Sequence, residues 1–112
     1  MQYRQISDNY AVSPQISVED IEAIKAAGFK SIICNRPDNE DPGQPSADQI
    51  QAAAESAGLA FRWIPVVSGS ITPQNIENQA EALKELPQPV FAYCRSGGRC
   101  TNLFAEIQQA GR

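Results

Sequence analysis

The chain has 112 residues, 13 acidic and 9 basic side chains, a formal net charge of −4 and no histidine. This length fits one domain, residues 1–112, and the acidic balance without a basic cluster argues against nucleic acid or membrane partners. The missing histidine excludes Ser-His-Asp and Cys-His catalysis and histidine-bound metals, so we expect no metal and no cofactor. Three cysteines and no apolar leader after Met1 predict free thiols and a cytoplasmic location.

The first part of the chain predicts two short strands, a helix and a buried strand. Residues 3–6 and 9–13 are β-prone, and a helix begins after Ser17 and ends at Gly28. Residues 30–35 form an apolar run that is typical of a buried strand. The segment RPDNEDPGQP, residues 36–45, contains three prolines and is predicted to be a loop.

The second part continues the alternation of helices and strands. Ser46 begins a helix through a capping box and Thr72 begins another, while residues 59–67 and 89–93 are predicted strands. A last helix is predicted over residues 99–110. Because the sequence ends soon after it, we expect that a further C-terminal helix is missing. The alternation predicts an α/β fold whose central, mainly parallel sheet is flanked by helices, with a site at the carboxyl ends of the strands.

The segment YCRSGGRC, residues 93–100, follows a predicted buried strand and precedes a helix. Its two glycines allow backbone N–H groups to surround an anion, and the helix directs its positive end there. Two arginines nearby favour the thiolate form of Cys94. We therefore expect Cys94 and Arg99 to be catalytic, and the expected substrate-binding residues to be Arg95, Ser96, Gly97, Gly98 and Arg36. The alternative is a simple turn with Cys94 as a small core residue.

The acidic loop offers candidate general acids for phosphate chemistry. Asp38 and Asp41 could protonate a leaving oxygen, although a solvated acidic connection is the favoured explanation for Asp38, Glu40 and Asp41 individually. For Arg36, a role as a second side chain that binds the anion and a place in the loop without that role are equally consistent with the sequence.

The remaining candidates have simpler explanations beside their functional ones. Cys100 is either a resolving thiol for Cys94 or a small residue in the first helical turn. Cys34 and Trp63 are expected in the core. The hydroxyl residues Ser68, Ser70 and Thr72 either line the site or serve as turn and cap residues.

The segment PVFAYCRSGGRCTNLFAEIQQAG resembles the active-site segments of two cysteine-dependent groups. Tyrosine and dual-specificity phosphatases have a histidine-cysteine pair, five residues and then an arginine, whereas here Tyr93 and Cys100 stand at the histidine and arginine positions. Rhodanese-like sulfurtransferases often carry cysteine-arginine-serine-glycine-any-arginine, which Cys94 to Arg99 matches at each position.

The whole chain is similar to a bacterial family of beta-lactamase hydrolase-like or phosphatase-like domains. The motifs that carry this resemblance are NRPDNEDPGQPS, WIPV and SITPQNI. The resemblance implies a dual-specificity, protein tyrosine phosphatase-like fold. Some members are joined to a persulfide dioxygenase-like domain, which implies sulfur transfer.

The favoured prediction from the sequence is a cysteine-dependent sulfurtransferase. Cys94 would take sulfur from a small anionic donor, thiosulfate or a glutathione persulfide, and pass it as a persulfide to a thiol acceptor, with a persulfide dioxygenase as a candidate partner. The alternative is a phosphatase that forms a cysteinyl-phosphate from a phosphate ester, with Asp38 or Asp41 as its acid. A third alternative is an anion-binding module whose Cys94 does not react.

Overall fold

The structure, a computed structural model, describes residues 1–111, which are built around a five-stranded sheet. The strand order is β1-β2-β5-β3-β4, with β1 antiparallel to β2 and the other neighbours parallel. The prediction of an α/β fold with a mainly parallel central sheet is therefore confirmed. The strands are β1 (Arg4–Ser7), β2 (Tyr10–Ser13), β3 (Ser31–Cys34), β4 (Ala60–Trp63) and β5 (Val90–Tyr93).

Within residues 1–111, four α-helices connect and cover the strands. Two begin at the predicted caps: Ser46 Oγ accepts from the Gln49 N–H at 3.2 Å, and Thr72 Oγ1 accepts from the Asn75 N–H at 3.1 Å. Because such caps depend only on residues close by in the sequence, the starts of both helices could be predicted from it. The helices are α1 (Ile21–Ala26, preceded by a 3₁₀ turn at Val18–Asp20), α2 (Ala47–Ser56), α3 (Pro73–Glu85) and α4 (Gly98–Gln109).

The strands β3 and β5 are buried throughout because both faces of the sheet are covered. Side chains of a strand alternate between faces, so Ile32 and Cys34 pack with α1 and α2 whereas Ile33 packs with α3 and α4. In β5 the same alternation places Tyr93 on the α1–α2 face. Each large apolar side chain buried in this way stabilises the fold by roughly 1.5–3 kcal/mol.

The edge strand β4 differs from the sequence prediction. It ends at Trp63 rather than continuing to residue 67, since Pro65 has no N–H to donate to a neighbouring strand. The expectation that Trp63 lies in the core is wrong: it is 43% exposed because β4 has no neighbour on its outer side. Its indole N–H donates to the Arg36 carbonyl at 2.9 Å.

The parallel arrangement brings several loops to one edge of the sheet. The carboxyl ends of β3 and β5 lead into the acidic loop and the cysteine loop, so Arg36 and Cys94 follow neighbouring strands. Among residues 1–111, none of the helices has the length and apolar character needed to cross a membrane.

Candidate active site

The loop that begins at Cys94 wraps its backbone around the cysteine sulfur. Gly97 adopts a left-handed conformation with φ of +91° and donates its N–H to Cys94 Sγ at 3.1 Å. A Cβ atom at Gly97 would lie 3.4 Å from the Ser13 carbonyl carbon and oxygen. Glycine is therefore favoured here by its left-handed conformation, and a Cβ would just reach van der Waals contact with the end of β2. Gly98, in contrast, is the first residue of α4.

The environment of Cys94 stabilises its thiolate. A hydrogen bond from the Cys100 side chain lowers the pKa of Cys94 most, and backbone N–H groups of Cys100, Ser96 and Arg99 lower it further. These effects exceed the opposing effect of burial and bring the pKa from 9.0 to about 5. At neutral pH the buried sulfur is therefore a thiolate, the form that acts as a nucleophile.

Arg99 is held by a carboxylate from the acidic loop. Its Nη1 and Nη2 donate to the two oxygens of Glu40 at 2.7 and 2.9 Å, and Nη1 also donates to the Val66 carbonyl at 2.9 Å. This two-point pairing fixes the guanidinium plane of a side chain whose residue is only 8% exposed. Hydrogen bonds from Arg99 first, and Arg36 second, lower the pKa of Glu40 to about 2, against the effect of its partial burial.

Arg36 joins the same network. Its Nε donates to Glu40 at 2.8 Å, its Nη2 to Asp41 at 2.6 Å and its Nη1 to Gln15 Oε1 at 3.0 Å. Asp41 also lies 3.2 Å from Arg95 Nε. The expectation of a solvated acidic connection is therefore wrong for Glu40, which is held by Arg36 and Arg99. Asp41 pairs with Arg36 and Arg95, although its side chain stays 43% exposed.

The two predicted general acids occupy different places. Asp38 Oδ1 accepts from the Ala47 N–H at 2.8 Å and thereby caps the start of α2. Asp41, through its contact with Arg95, lies beside the cysteine loop. Of the predicted hydroxyl residues, Thr72 caps α3.

A cavity of ≈ 710 Å³ opens beside the cysteine loop. Ser68 lines it, whereas Ser70 instead donates its N–H to the Val67 carbonyl at 3.0 Å in a turn. Within residues 1–111 no cluster of three histidine, cysteine, aspartate or glutamate side chains could hold a metal. The cavity is lined by Ser68, Gly69, Ile71, Arg95, Ser96, Gly98, Arg99 and Asn102.

Tyr93 does not replace the histidine of the phosphatase pattern. It packs on the opposite face of the sheet from Cys94, and its buried hydroxyl has no hydrogen-bond partner in the described part of the chain. Burial raises the pKa of that hydroxyl well above its usual value, so it stays neutral.

The other two cysteines are buried and unbridged. Cys34 lies in the core as expected, and Cys100 packs in the same apolar cluster as Cys94. Burial raises the pKa of both thiols. Cys100 is therefore a neutral thiol beside a thiolate, an arrangement that suits a hydrogen-bond donor.

A buried polar network behind the loop was missed by the sequence analysis. Asn35 Nδ2 donates to Gln79 Oε1 at 2.9 Å, and Gln79 Nε2 donates back to Asn35 Oδ1 at 3.1 Å. Gln79 Nε2 also donates to Tyr10 Oη at 3.2 Å, and Tyr10 Oη donates to the Cys100 carbonyl at 2.9 Å. The network thus ties three elements to the first turn of α4. A glutamine on a polar helix gave no local signal of burial.

The family model described as "Beta-lactamase hydrolase-like protein, phosphatase-like domain" matches residues 2–112. The beta-lactamase hydrolase-like protein of Agrobacterium fabrum is 38% identical over 99 residues, which cover 88% of this chain and 23% of that protein. The chain therefore spans about a quarter of the length of the curated relatives it matches.

Solved structures give the same result for the fold. A "putative phosphatase" from Neisseria meningitidis superposes with a TM-score of 0.84 and 37% identity, covering 90% of this chain and 72% of that chain. The core catalytic domain of the PP-IP phosphatase SIW14 from S. cerevisiae superposes with a TM-score of 0.74 over 96% of this chain and 65% of that chain. At 16% identity, the second likeness concerns the fold alone. The chain belongs to the beta-lactamase hydrolase-like, phosphatase-like domain family, and its fold is that of the tyrosine and dual-specificity phosphatases.

Proposed function

We propose that this domain is a cysteine-dependent phosphatase that forms a cysteinyl-phosphate on Cys94. The observation that carries the proposal is the thiolate of Cys94 enclosed by backbone N–H groups at the carboxyl end of β5. The comparisons support a phosphatase-like hydrolase and give no support to a sulfurtransferase. The order of preference reached from the sequence is therefore reversed.

The geometry suits an in-line displacement. The Cys94 thiolate forms a bond to phosphorus while the bond from phosphorus to the leaving oxygen breaks. The loop N–H groups and the positive end of α4 stabilise the charge on the phosphoryl oxygens. Arg99 contributes its Nε–H, which donates to no partner among the described residues, while Glu40 accepts from the two terminal nitrogens of the guanidinium.

Water must then release the phosphate from the cysteine. The water oxygen bonds to phosphorus while the sulfur–phosphorus bond breaks, and Cys94 leaves as the thiolate. Asp41, the predicted acid that lies beside the loop, takes the proton of the attacking water. Asp38 is committed to the α2 cap, so we assign it no catalytic role.

Hydrolysis of 4-nitrophenyl phosphate tests the proposal. We expect Cys94→Ser to lose activity by about 10³-fold or more, because the alcohol is a far weaker nucleophile. Arg99→Lys keeps the charge but loses the planar fork, and we expect about a 10²-fold loss. The matched control is Arg62→Lys, since Arg62 pairs with Glu85 at an exposed position outside the cavity. Full activity in Cys94→Ser would refute the proposal.

Sulfur transfer is the second candidate, and the spacing of the loop favours it. Four residues rather than five separate Cys94 from Arg99. Both terminal nitrogens of Arg99 donate hydrogen bonds to Glu40. In this reaction the thiolate attacks the outer sulfur of thiosulfate, the sulfur–sulfur bond breaks, sulfite leaves, and a thiol acceptor later takes the sulfur. Gain of one sulfur atom by the wild type but not by Cys94→Ser, without phosphatase activity, would establish this candidate instead.

A further inference from the structure

We propose that the substrate is a small phosphorylated molecule whose leaving group carries a second anionic group, and that Arg95 binds this second group. The inference rests on the proposed phosphatase function and specifies its substrate class. Its basis is Arg95, whose two terminal guanidinium nitrogens have no partner in the described part of the chain and which lines the cavity.

Arg95 differs from Arg36 and Arg99 in how few of its guanidinium nitrogens are paired within the protein. Arg36 uses all three of its guanidinium nitrogens within the protein, and Arg99 uses both terminal ones. Arg95 makes a single side-chain contact in the described part of the chain, from Nε to Asp41 at 3.2 Å. Its side chain is 67% exposed and lines the cavity. Its terminal nitrogens are therefore available to a ligand.

The contact with Asp41 shows what Arg95 can hold. A carboxylate already lies against the guanidinium, and both side chains are open to water. Exposed ion pairs contribute little to stability, so a substrate carboxylate or phosphate can replace Asp41 at small cost. Asp41 thus marks the place of the second anion in the absence of substrate.

The cavity has room for such a leaving group and the polarity to accept it. Ligand pockets measure about 300–1,000 Å³, so the ≈ 710 Å³ found here exceeds what a phosphoryl group needs. Ser68, Ser96 and Asn102 supply hydroxyl and amide groups, and Ile71 is the one large apolar side chain among the lining residues. None of the described lining residues is aromatic, whereas a phosphotyrosine ring favours an apolar or aromatic wall.

The test compares phenyl phosphate with 3-carboxyphenyl phosphate, whose leaving groups are similar in size and basicity. In the wild type we expect kcat/KM to be about tenfold higher for the carboxylated substrate, with the advantage falling as salt is added. Arg95→Gln should reduce the ratio of the two values to about one, and Arg95→Lys should keep part of it. The control Arg62→Gln removes the same charge outside the cavity and should retain the full ratio.

The outcomes separate the two proposals. Equal kcat/KM values in the wild type, or a ratio that survives Arg95→Gln in a variant with a wild-type melting curve, would overturn the role of Arg95 and leave the phosphatase standing. A higher kcat/KM for a phosphotyrosine peptide than for 3-carboxyphenyl phosphate would also overturn the inference. Hydrolysis of neither substrate would overturn the phosphatase itself.

Discussion

Replacing Glu40 with glutamine removes the carboxylate that joins Arg99 to Arg36 and keeps the size of the side chain. The pKa of Glu40 is about 2 in the folded protein against an ordinary value of 4.5. At about 1.4 kcal/mol per pKa unit, this difference corresponds to about 3 kcal/mol of stabilisation of the charged form. Because water reaches the carboxylate and screens the pairs, we expect the free energy of unfolding to fall by about 1–2 kcal/mol at pH 7.

The lowered pKa of Glu40 also determines how this loss of stability depends on pH. A carboxylate with a lowered pKa in the folded state stabilises the protein fully above its unfolded pKa, and the contribution disappears as the pH falls through the folded pKa. The difference in free energy of unfolding between wild type and Glu40→Gln should therefore be constant above about pH 5.5. It should shrink below pH 4.5 and vanish near pH 2.

Urea denaturation at a series of pH values measures this difference directly. Glu85→Gln is the control, since it breaks the exposed pair with Arg62 and should change the free energy of unfolding by less than about 0.5 kcal/mol. Equal stability of wild type and Glu40→Gln at pH 7 would show that the Glu40 ion pairs do not stabilise the fold. A difference that persists undiminished at pH 3 would contradict the expected pH dependence.

Three further predictions follow from the loop and the network behind it. Alkylation of Cys94 by iodoacetamide should reach half its maximal rate near pH 5. Cys100→Ala should raise this midpoint more than Cys100→Ser, because serine keeps a hydrogen-bond donor. An unmoved midpoint would contradict the role of Cys100. Gly97→Ala and Gly43→Ala should both lower the melting temperature, because both glycines have positive φ, and the loss at Gly97 should be at least as large, since only there would the Cβ contact β2; a smaller loss at Gly97 would contradict this expectation. Gln79→Leu should cost about 2–3 kcal/mol in urea denaturation by leaving buried polar partners unsatisfied, whereas a neutral effect would mean that they find other partners.

The role of Cys100 as a resolving thiol stays a prediction with its own test. Hydrogen peroxide would oxidise the Cys94 thiolate to a sulfenic acid, and the Cys100 thiol would then displace water to form a disulfide. Thiol counting and peptide mapping after peroxide treatment should show the loss of both thiols together. Loss of Cys94 alone would leave Cys100 as a hydrogen-bond donor only.

Much of the fold could be predicted because its signals are local. The caps at Ser46 and Thr72, the apolar runs of β3 and β5 and the glycines of the cysteine loop all act through neighbours in sequence. Parallel pairing of β3 with β5 then brings the ends of both strands to one edge, as the alternation of helices and strands indicated.

The parts that sequence analysis missed depend on partners far apart in the chain. Glu40 and Arg99 are separated by 59 positions, and no local pattern distinguishes Glu40 from a solvated loop residue. The exposure of Trp63 depends on which strand lies at the edge of the sheet. The burial of Gln79 depends likewise on the placement of α3 over Asn35 and Tyr10.

Trapping the covalent intermediate would show directly whether Cys94 accepts the phosphoryl group. The protein would be mixed with 4-nitrophenyl phosphate, quenched in acid within the first turnover and measured by intact mass and peptide mapping, with Cys94→Ser as control. We expect one phosphoryl group on Cys94 in the wild type, a burst of 4-nitrophenol of matching size, and neither in the variant. Hydrolysis without a burst or an adduct, or an adduct on another residue, would contradict the proposed cysteinyl-phosphate.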